Sequence, residues 1–231
     1  MAYAITEFLI GTGSGSGVTT WDAPAFTSVA GQTLVAYVRW ESGPTNIASL
    51  TDIGEGGPNN SPWTLRVTQD LSVRRWRVYT LNQTGAGASQ IRATWSSNVN
   101  FPLVAIVAIS GLTVAPFDTS SVNAQGIPTT AVDAVTSNAT PALAAQPACL
   151  LGFSWNYVTA NNVPNSGTGF NNIGTDTARF RAEDRRLTAT DGMPATFTAL
   201  NGGDGHATIA LVFTEAGASP GRKGLTLLGC G

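Results

Sequence analysis

The chain has 231 residues, of which 42% are hydrophobic and 11% charged, with 26 Gly, 12 Pro and a formal net charge of -2. So small a charged fraction, against about 25% in an average soluble domain, excludes a disordered polyelectrolyte, a coiled coil or a bundle of surface helices, and the glycines lack the triplet spacing of collagen. The near-neutral balance supplies no basic field for counterion release, so no nucleic-acid partner is expected.

Taken in chain order, short apolar runs bounded by Gly, Pro, Asn and Ser recur, and no helical stripe appears. Tyr3 to Ile10 reads as a strand, followed by a flexible Gly11–Gly17 loop. Thr33 to Glu41 alternates Leu34, Ala36, Val38 and Trp40 with Val35, Tyr37 and Arg39. Ile47 to Asp52, Trp63 to Gln69, Val73 to Leu81 and Ser89 to Trp95 are further strands, separated by turns such as Gly54 to Pro62. Their alternation is that of an antiparallel sheet with one buried face.

Phe101 to Ser110 is continuously apolar, as a strand covered on both faces should be. Leu112 to Pro147 is rich in Ala, Thr, Ser and Pro, and only weak edge strands are expected there, near Ser121 to Gln125 and Ala134 to Ala139. Ala148 to Trp155, Phe180 to Thr188, Ala195 to Leu200 and His206 to Glu215 complete the set, with Asn161 to Gly174 as a long loop. The expected fold is all-β, a two-layer antiparallel sandwich of jelly-roll type over residues 1–215, with an extended C-terminal arm over 216–231. Val38, Trp40, Leu103, Ala105, Val107, Leu151, Ile209, Leu211 and Phe213 are its expected core.

No apolar run reaches the length of a membrane span, the longest being Leu103 to Ile109, so no membrane partner is expected. Met1-Ala-Tyr-Ala-Ile-Thr-Glu7 has no basic region ahead of an apolar run, and the expectation is synthesis in a cytoplasm without a signal peptide. Cys149 and Cys230 do not read as a disulfide framework.

Catalytic signatures are absent: there is no G-x-S-x-G, no G-x-G-x-x-G and no Walker loop. His206 is the sole histidine and is read as structural. Glu183-Asp184, the one adjacent acidic pair, would point to opposite faces of a strand. The sequence therefore reads as a non-enzyme without a metal or cofactor. Among six tryptophans, Trp40, Trp95 and Trp155 are in phase with core residues, whereas Trp21 and Trp63 lie beside loops and are the ligand-binding candidates, since sugar faces stack on indoles. Seven of the eleven arginines fall in two regions, Arg74 to Arg77 and Arg179 to Arg186. Alternation places Arg75 and Arg77 on the face opposite Trp76; a solvated face explains this, and with few acids nearby in sequence a partner-binding subunit interface explains it equally well. Arg222, Lys223, Leu225, Leu227 and Leu228 form a basic and apolar tail end that suits a partner surface, the alternative being a tail that folds back over its own sheet.

The order of features, Gly31-Gln-Thr-Leu-Val-Ala-Tyr-Val-Arg-Trp40, Ile47-Ala-Ser-Leu-Thr-Asp52, Trp63-Thr-Leu65, Val73 to Tyr79 and Val104-Ala-Ile-Val-Ala-Ile-Ser-Gly111 with Asp118 following, resembles a jelly-roll type of tailed-bacteriophage virion protein over about residues 3 to 215. That resemblance implies a non-enzymatic head decoration, head-fibre or tail-fibre component, assembled in the host cytoplasm and resident in the virion. It implies a homo-oligomer, with a trimer favoured, and contacts with other virion proteins. The alternative is a carbohydrate-binding sandwich whose partner is a host-surface glycan.

Overall fold

The computed structural model describes residues 2–13, 15–60, 62–82, 84–125, 134–143, 145–156, 163–176, 179–188, 193–198 and 206–220. Among these there is no helix, and the chain is all-β. The strands are β1 (Ala4–Thr12), β2 (Ser16–Asp22), β3 (Phe26–Ser28), β4 (Thr33–Glu41), β5 (Ser49–Asp52), β6 (Thr64–Leu71), β7 (Arg74–Leu81) and β8 (Gly87–Ser89). They continue as β9 (Ile91–Ser110), β10 (Leu112–Gln125), β11 (Ala134–Thr136), β12 (Ala145–Asn156), β13 (Asn165–Ser166) and β14 (Asn171–Thr175). The last are β15 (Phe180–Leu187), β16 (Thr196–Thr198) and β17 (His206–Pro220).

Two antiparallel sheets face one another. The first has the order β1-β9-β4-β7-β6, the second β10-β17-β12-β15-β14. Between them lies a core built from Val35, Tyr37, Trp76, Val78, Leu103, Ala105 and Val107 on one side and Leu151, Phe153, Phe180, Ile209, Leu211 and Phe213 on the other. All nine residues expected in the core are buried, but Val38 and Trp40 belong to a second cluster on the outer face of the first sheet, with Leu34, Ala36, Val104, Ile106, Ile91, Ala93 and Trp95. A third cluster, including Leu150, Val212, Leu187 and Phe197, covers the outer face of the second sheet beneath the small β11-β16-β13 sheet.

Both principal sheets are thus buried on both faces. This explains why β4 is buried from Thr33 to Trp40 and β9 from Pro102 to Ile109, where a simple two-layer sandwich would leave alternate residues in water.

The outer layer on the first sheet is made by the same strand that runs through its centre. β9 is 20 residues long; its second half pairs with β1 and β4, whereas its first half pairs with β2 and β5. At the junction Phe101 has φ of 48°, in the left-handed region. The two halves fold together: Gly11, opposite Val104, lies so close to Asp22, opposite Arg92, that a Cβ on Gly11 would stand 2.3 Å from the Asp22 carbonyl oxygen. The Phe101 N–H donates to the Gly15 carbonyl at 3.0 Å, and its carbonyl accepts from Arg39 Nη1 at 2.9 Å. An aromatic residue in this conformation is disfavoured by about 1–2 kcal/mol, so the bend is fixed by its surroundings rather than by local preference.

Several boundaries differ from those expected. The Gly11–Gly17 segment is a tight connection between β1 and β2 instead of a free loop, and β2, β3, β8, β13 and β14 were not expected. They are rich in Ser, Thr, Gly and Asn, so they lack the apolar alternation that marks a strand. Ser89 to Trp95 and Phe101 to Ser110 belong almost entirely to one strand, and β10 is a 14-residue strand paired with β17. The last strand continues beyond Glu215 to Pro220 by pairing with Ala145 and Gln146 of β12. The first part of the expected arm is therefore strand; residues 221–231 lie outside the described residues.

Leu211 is fully buried at the centre of the inter-sheet core. Leu211→Ala is expected to lower stability by about 2–5 kcal/mol, measured by urea unfolding, and a loss under half a kcal/mol would contradict this packing.

Candidate functional site

The arginine run of β7 is paired inside the molecule. Arg74 faces Glu41, Nε to Oε1 3.3 Å, and Arg77 donates to Asp70 Oδ1 at 2.6 Å, to the Gln69 carbonyl at 3.2 Å and to Asn46 Oδ1 at 3.2 Å, with a further bond to the Thr45 carbonyl. Its guanidinium lies 5.5 Å from the Trp40 ring centroid, and the residue is 1% exposed. Arg75 is half-buried, bonds the Ser72 and Arg74 carbonyls and lies 3.7 Å from Asp70. Alternation does place Arg75 and Arg77 opposite the core residue Trp76. Arg77, however, is not presented to a partner. The acids missing from its linear neighbourhood come from adjacent strands: Asp70 stands opposite Arg75 and Glu41 opposite Arg74, the cross-strand pairing that period-2 reading along one strand does not reveal. Arg222, Lys223, Leu225, Leu227 and Leu228 lie outside the described residues.

The second arginine group is occupied in the same way. Arg186 makes a two-pronged bond to Glu215, 2.7 and 2.9 Å, Arg181 donates to the Pro164 carbonyl at 2.8 Å, and Arg185 lies over Phe170.

Buried carboxyls serve as fasteners. Asp52 is 4% exposed. Burial alone would raise its pKa, but hydrogen bonds from Ser89, the Gln90 and Gly54 N–H groups and Asn59 together hold it below the ordinary carboxylate value. Those donors tie the loop after β5 to β8. Glu183 is fully buried on the outer face of the second sheet; its two oxygens accept from the N–H of Gly167 at 2.9 Å and of Thr196 at 3.2 Å, which joins β15 to β16. Burial pushes its carboxyl up to about 8, against the lowering effect of those bonds and of Arg181. Asp184 points the other way, accepting from the Tyr3 hydroxyl and Asn171. The adjacent acids thus occupy opposite faces, and Glu183 has its lone pairs aimed at backbone donors rather than at an open site. The single histidine, His206, is buried at the start of β17.

One open feature of the described surface is on the outer layer. A cleft of about 300 Å³ is lined by Thr20, Trp21 and Asp22 of β2, at the lower end of the size range of small-ligand sites. Trp21 packs against the second core, and its indole Nε1 is buried without a hydrogen-bond partner. Asp22 makes a two-pronged pair with Arg92 of β9, 2.7 and 2.8 Å, at a partly exposed position. Trp63, the other tryptophan singled out in the sequence, also packs against the second core and also has an unpartnered Nε1, but does not line this cleft. Position beside a loop marked both residues; only the pairing of β2 with β9, invisible in the sequence, separates them.

A second exposed feature was missed. β6 and β10, the terminal strands of the two principal sheets, lie alongside one another. Arg66 of β6 caps the Phe117 ring of β10 at 4.3 Å, and Leu65 and Val114 on the same two strands are 44% and 72% exposed. Val114 sits in a Thr- and Ala-containing stretch with no apolar run to draw notice.

The raised pKa of Glu183 has a measurable consequence. Its proton is held more tightly folded than unfolded, so the stability it contributes is complete below about pH 4.5 and is lost as pH rises through about 8. The slope in that window is at most about 1.4 kcal/mol per pH unit. Glu183→Gln is expected to flatten it, as read from urea midpoints between pH 4.5 and 9; an unchanged slope would show that Glu183 does not carry the effect.

No protein-family model matches the chain, and no curated protein matches it, so the functional reading rests on the geometry and chemistry of these residues.

Proposed function

We propose that this chain is a non-enzymatic structural component of a tailed-bacteriophage virion, a jelly-roll-type decoration or fibre module that acts through repeated protein–protein contacts. The observation that carries this reading is the pair of adjoining edge strands, β6 and β10, with Leu65 and Val114 standing out in water. Sheet edges expose unpaired backbone groups, and soluble proteins ordinarily protect them with charge, proline or a covering segment. An edge that carries apolar side chains instead suits a permanent neighbour, either another copy in a trimer or an adjacent shell or tail protein. Each contact need be only modest, because many identical copies on one particle multiply weak interactions. The strand order noted in the sequence, the absence of a catalytic signature there, and the structural use of Asp52, Glu183, Arg77 and Arg186 support the same reading.

The Trp21 cleft favours a second reading, a carbohydrate-binding module that attaches a fibre to a host-surface glycan. A cleft of this size with an indole in its lining and hydroxyl and carboxylate groups on the same strand suits a sugar ring, which offers a C–H face and a rim of hydroxyls.

Leu65→Glu combined with Val114→Glu is expected to abolish self-association in sedimentation velocity and binding to particles lacking the protein, with the thermal midpoint unchanged because both side chains are exposed. Wild-type protein that stays monomeric and binds no particle across physiological salt would contradict the virion reading.

A further inference from the structure

Along the outer face of the second sheet the side chains change from apolar to polar. Leu150 of β12 and Val212 of β17 stand in the third apolar cluster. The same alternation brings Gly152, Ser154 and Asn156 of β12, Ala210, Thr208 and His206 of β17, and Glu183 and Arg181 of β15 onto that face. Gly152 marks the change: a Cβ there would stand 2.8 Å from the Ala195 Cβ and 3.0 Å from Glu183 Cγ, so the Glu183 stem crosses it and closes the apolar end. Beyond Gly152 the register forms a polar row, with Arg181 and Thr208 opposite Ser154 on either side, and then Asn156 opposite His206. Directly opposed side chains on one face start about 5 Å apart.

Ser154 and Thr208 are fully buried, and neither hydroxyl has a hydrogen-bond partner. Among the described residues, the one other buried serine or threonine hydroxyl in that state is Ser166 of β13. Ser166 stands opposite Phe197, which packs into the third cluster, so it faces the second sheet from the covering layer. On either side of it, the Pro164 carbonyl accepts from Arg181 Nε at 2.8 Å and the Gly167 N–H donates to Glu183 Oε2 at 2.9 Å. All three hydroxyls thus belong to the gap between the second sheet and its cover. Burying a hydroxyl without a partner is costly, and Ala at 154 or Val at 208 would fill the space without that cost. The fold alone gives no reason for these residue types.

Arg181 supplies the charge. Arg39, Arg74, Arg77, Arg92 and Arg186 each have a carboxylate within ion-pairing distance; among the described residues Arg181 has none, and its one hydrogen bond is through Nε. Glu183, two residues along the strand, has both oxygens engaged by backbone N–H groups, and burial keeps its proton in place up to about pH 8. Arg185, over Phe170, and His206 are the other titratable groups of this face, and β11, β13 and β16 add none.

We propose that Arg181, Ser154 and Thr208 form a binding site for a small oxyanion, a phosphate-type group or the carboxylate of an organic acid. The two Nη groups of a guanidinium offer parallel donors that match such an oxyanion edge, and the two hydroxyls donate from the adjoining strands. Arg181 repels a cation, and a neutral polyol would leave its charge unmatched. The site is independent of the virion reading and of the Trp21 cleft.

The test is calorimetric titration of the full chain with inorganic phosphate, sulfate and acetate at constant ionic strength in chloride. At least one is expected to bind at one site per chain, and the preferred anion names the head group. Ser154→Ala and Thr208→Val are each expected to weaken it by about tenfold, the scale of one hydrogen bond to a charged group, with the thermal midpoint in anion-free buffer unchanged or raised. Arg181→Gln is expected to abolish binding. A wild type that binds none of the three would mean that the hydroxyls hold only water, and affinity unchanged in Ser154→Ala and Thr208→Val would place the anion elsewhere. A lowered midpoint of both variants without anion would make the hydroxyls part of the fold. Each of these three results overturns the proposal.

Discussion

The fold depends on the bend of β9 at Phe101. One strand supplies the centre of a principal sheet with its second half and the scaffold of an outer layer with its first, and the left-handed residue between them sets one half over the other. From that bend follow the second core, the burial of both faces of β4 and the position of β2 at the surface with Trp21 beside its cleft. The second sheet is covered in a different way, by the separate β11-β16-β13 sheet.

Covering both principal sheets on both faces leaves little place for unpaired charge. Asp52 is surrounded by hydroxyl, amide and N–H donors, Glu183 by two backbone donors, Glu215 by Arg186 and Arg77 by Asp70 and main-chain carbonyls. A buried charge without such partners would be strongly destabilising, whereas each of these joins segments that are distant in sequence. The scarcity of charged residues and the internal use of the few present are two aspects of one architecture. Among the large apolar side chains, Leu65, Val114 and Phe101 remain exposed in spite of this internal packing.

The inter-sheet core was legible because it is encoded in local apolarity: Leu103 to Ile109, Leu150 to Phe153 and Ile209 to Phe213 are runs too apolar to face water. Alternation at Arg75, Trp76 and Arg77 correctly separated the faces but not their burial, since Asp70 and Glu41 arrive from neighbouring strands. The outer layers were not legible because β2, β3, β8, β13 and β14 are held by backbone pairing and polar side chains, and Ser, Thr, Gly and Asn give the same letters to a strand and to a loop. Trp21 is marked in the sequence only by its place beside a loop, which carries no sign of the cleft that it lines. Phe101 was assigned to the core strand that follows it, because neither its positive φ nor its exposure leaves any mark on an apolar sequence.

The bend itself can be tested by comparing Phe101→Asn with Phe101→Val in urea unfolding. Asn tolerates the left-handed region and a β-branched residue does not, so Val should be less stable than Asn by about 1–2 kcal/mol, despite the higher strand propensity of Val. Equal stabilities, or a more stable Val variant, would mean that position 101 is ordinary extended strand and that β9 does not turn the first sheet back over itself.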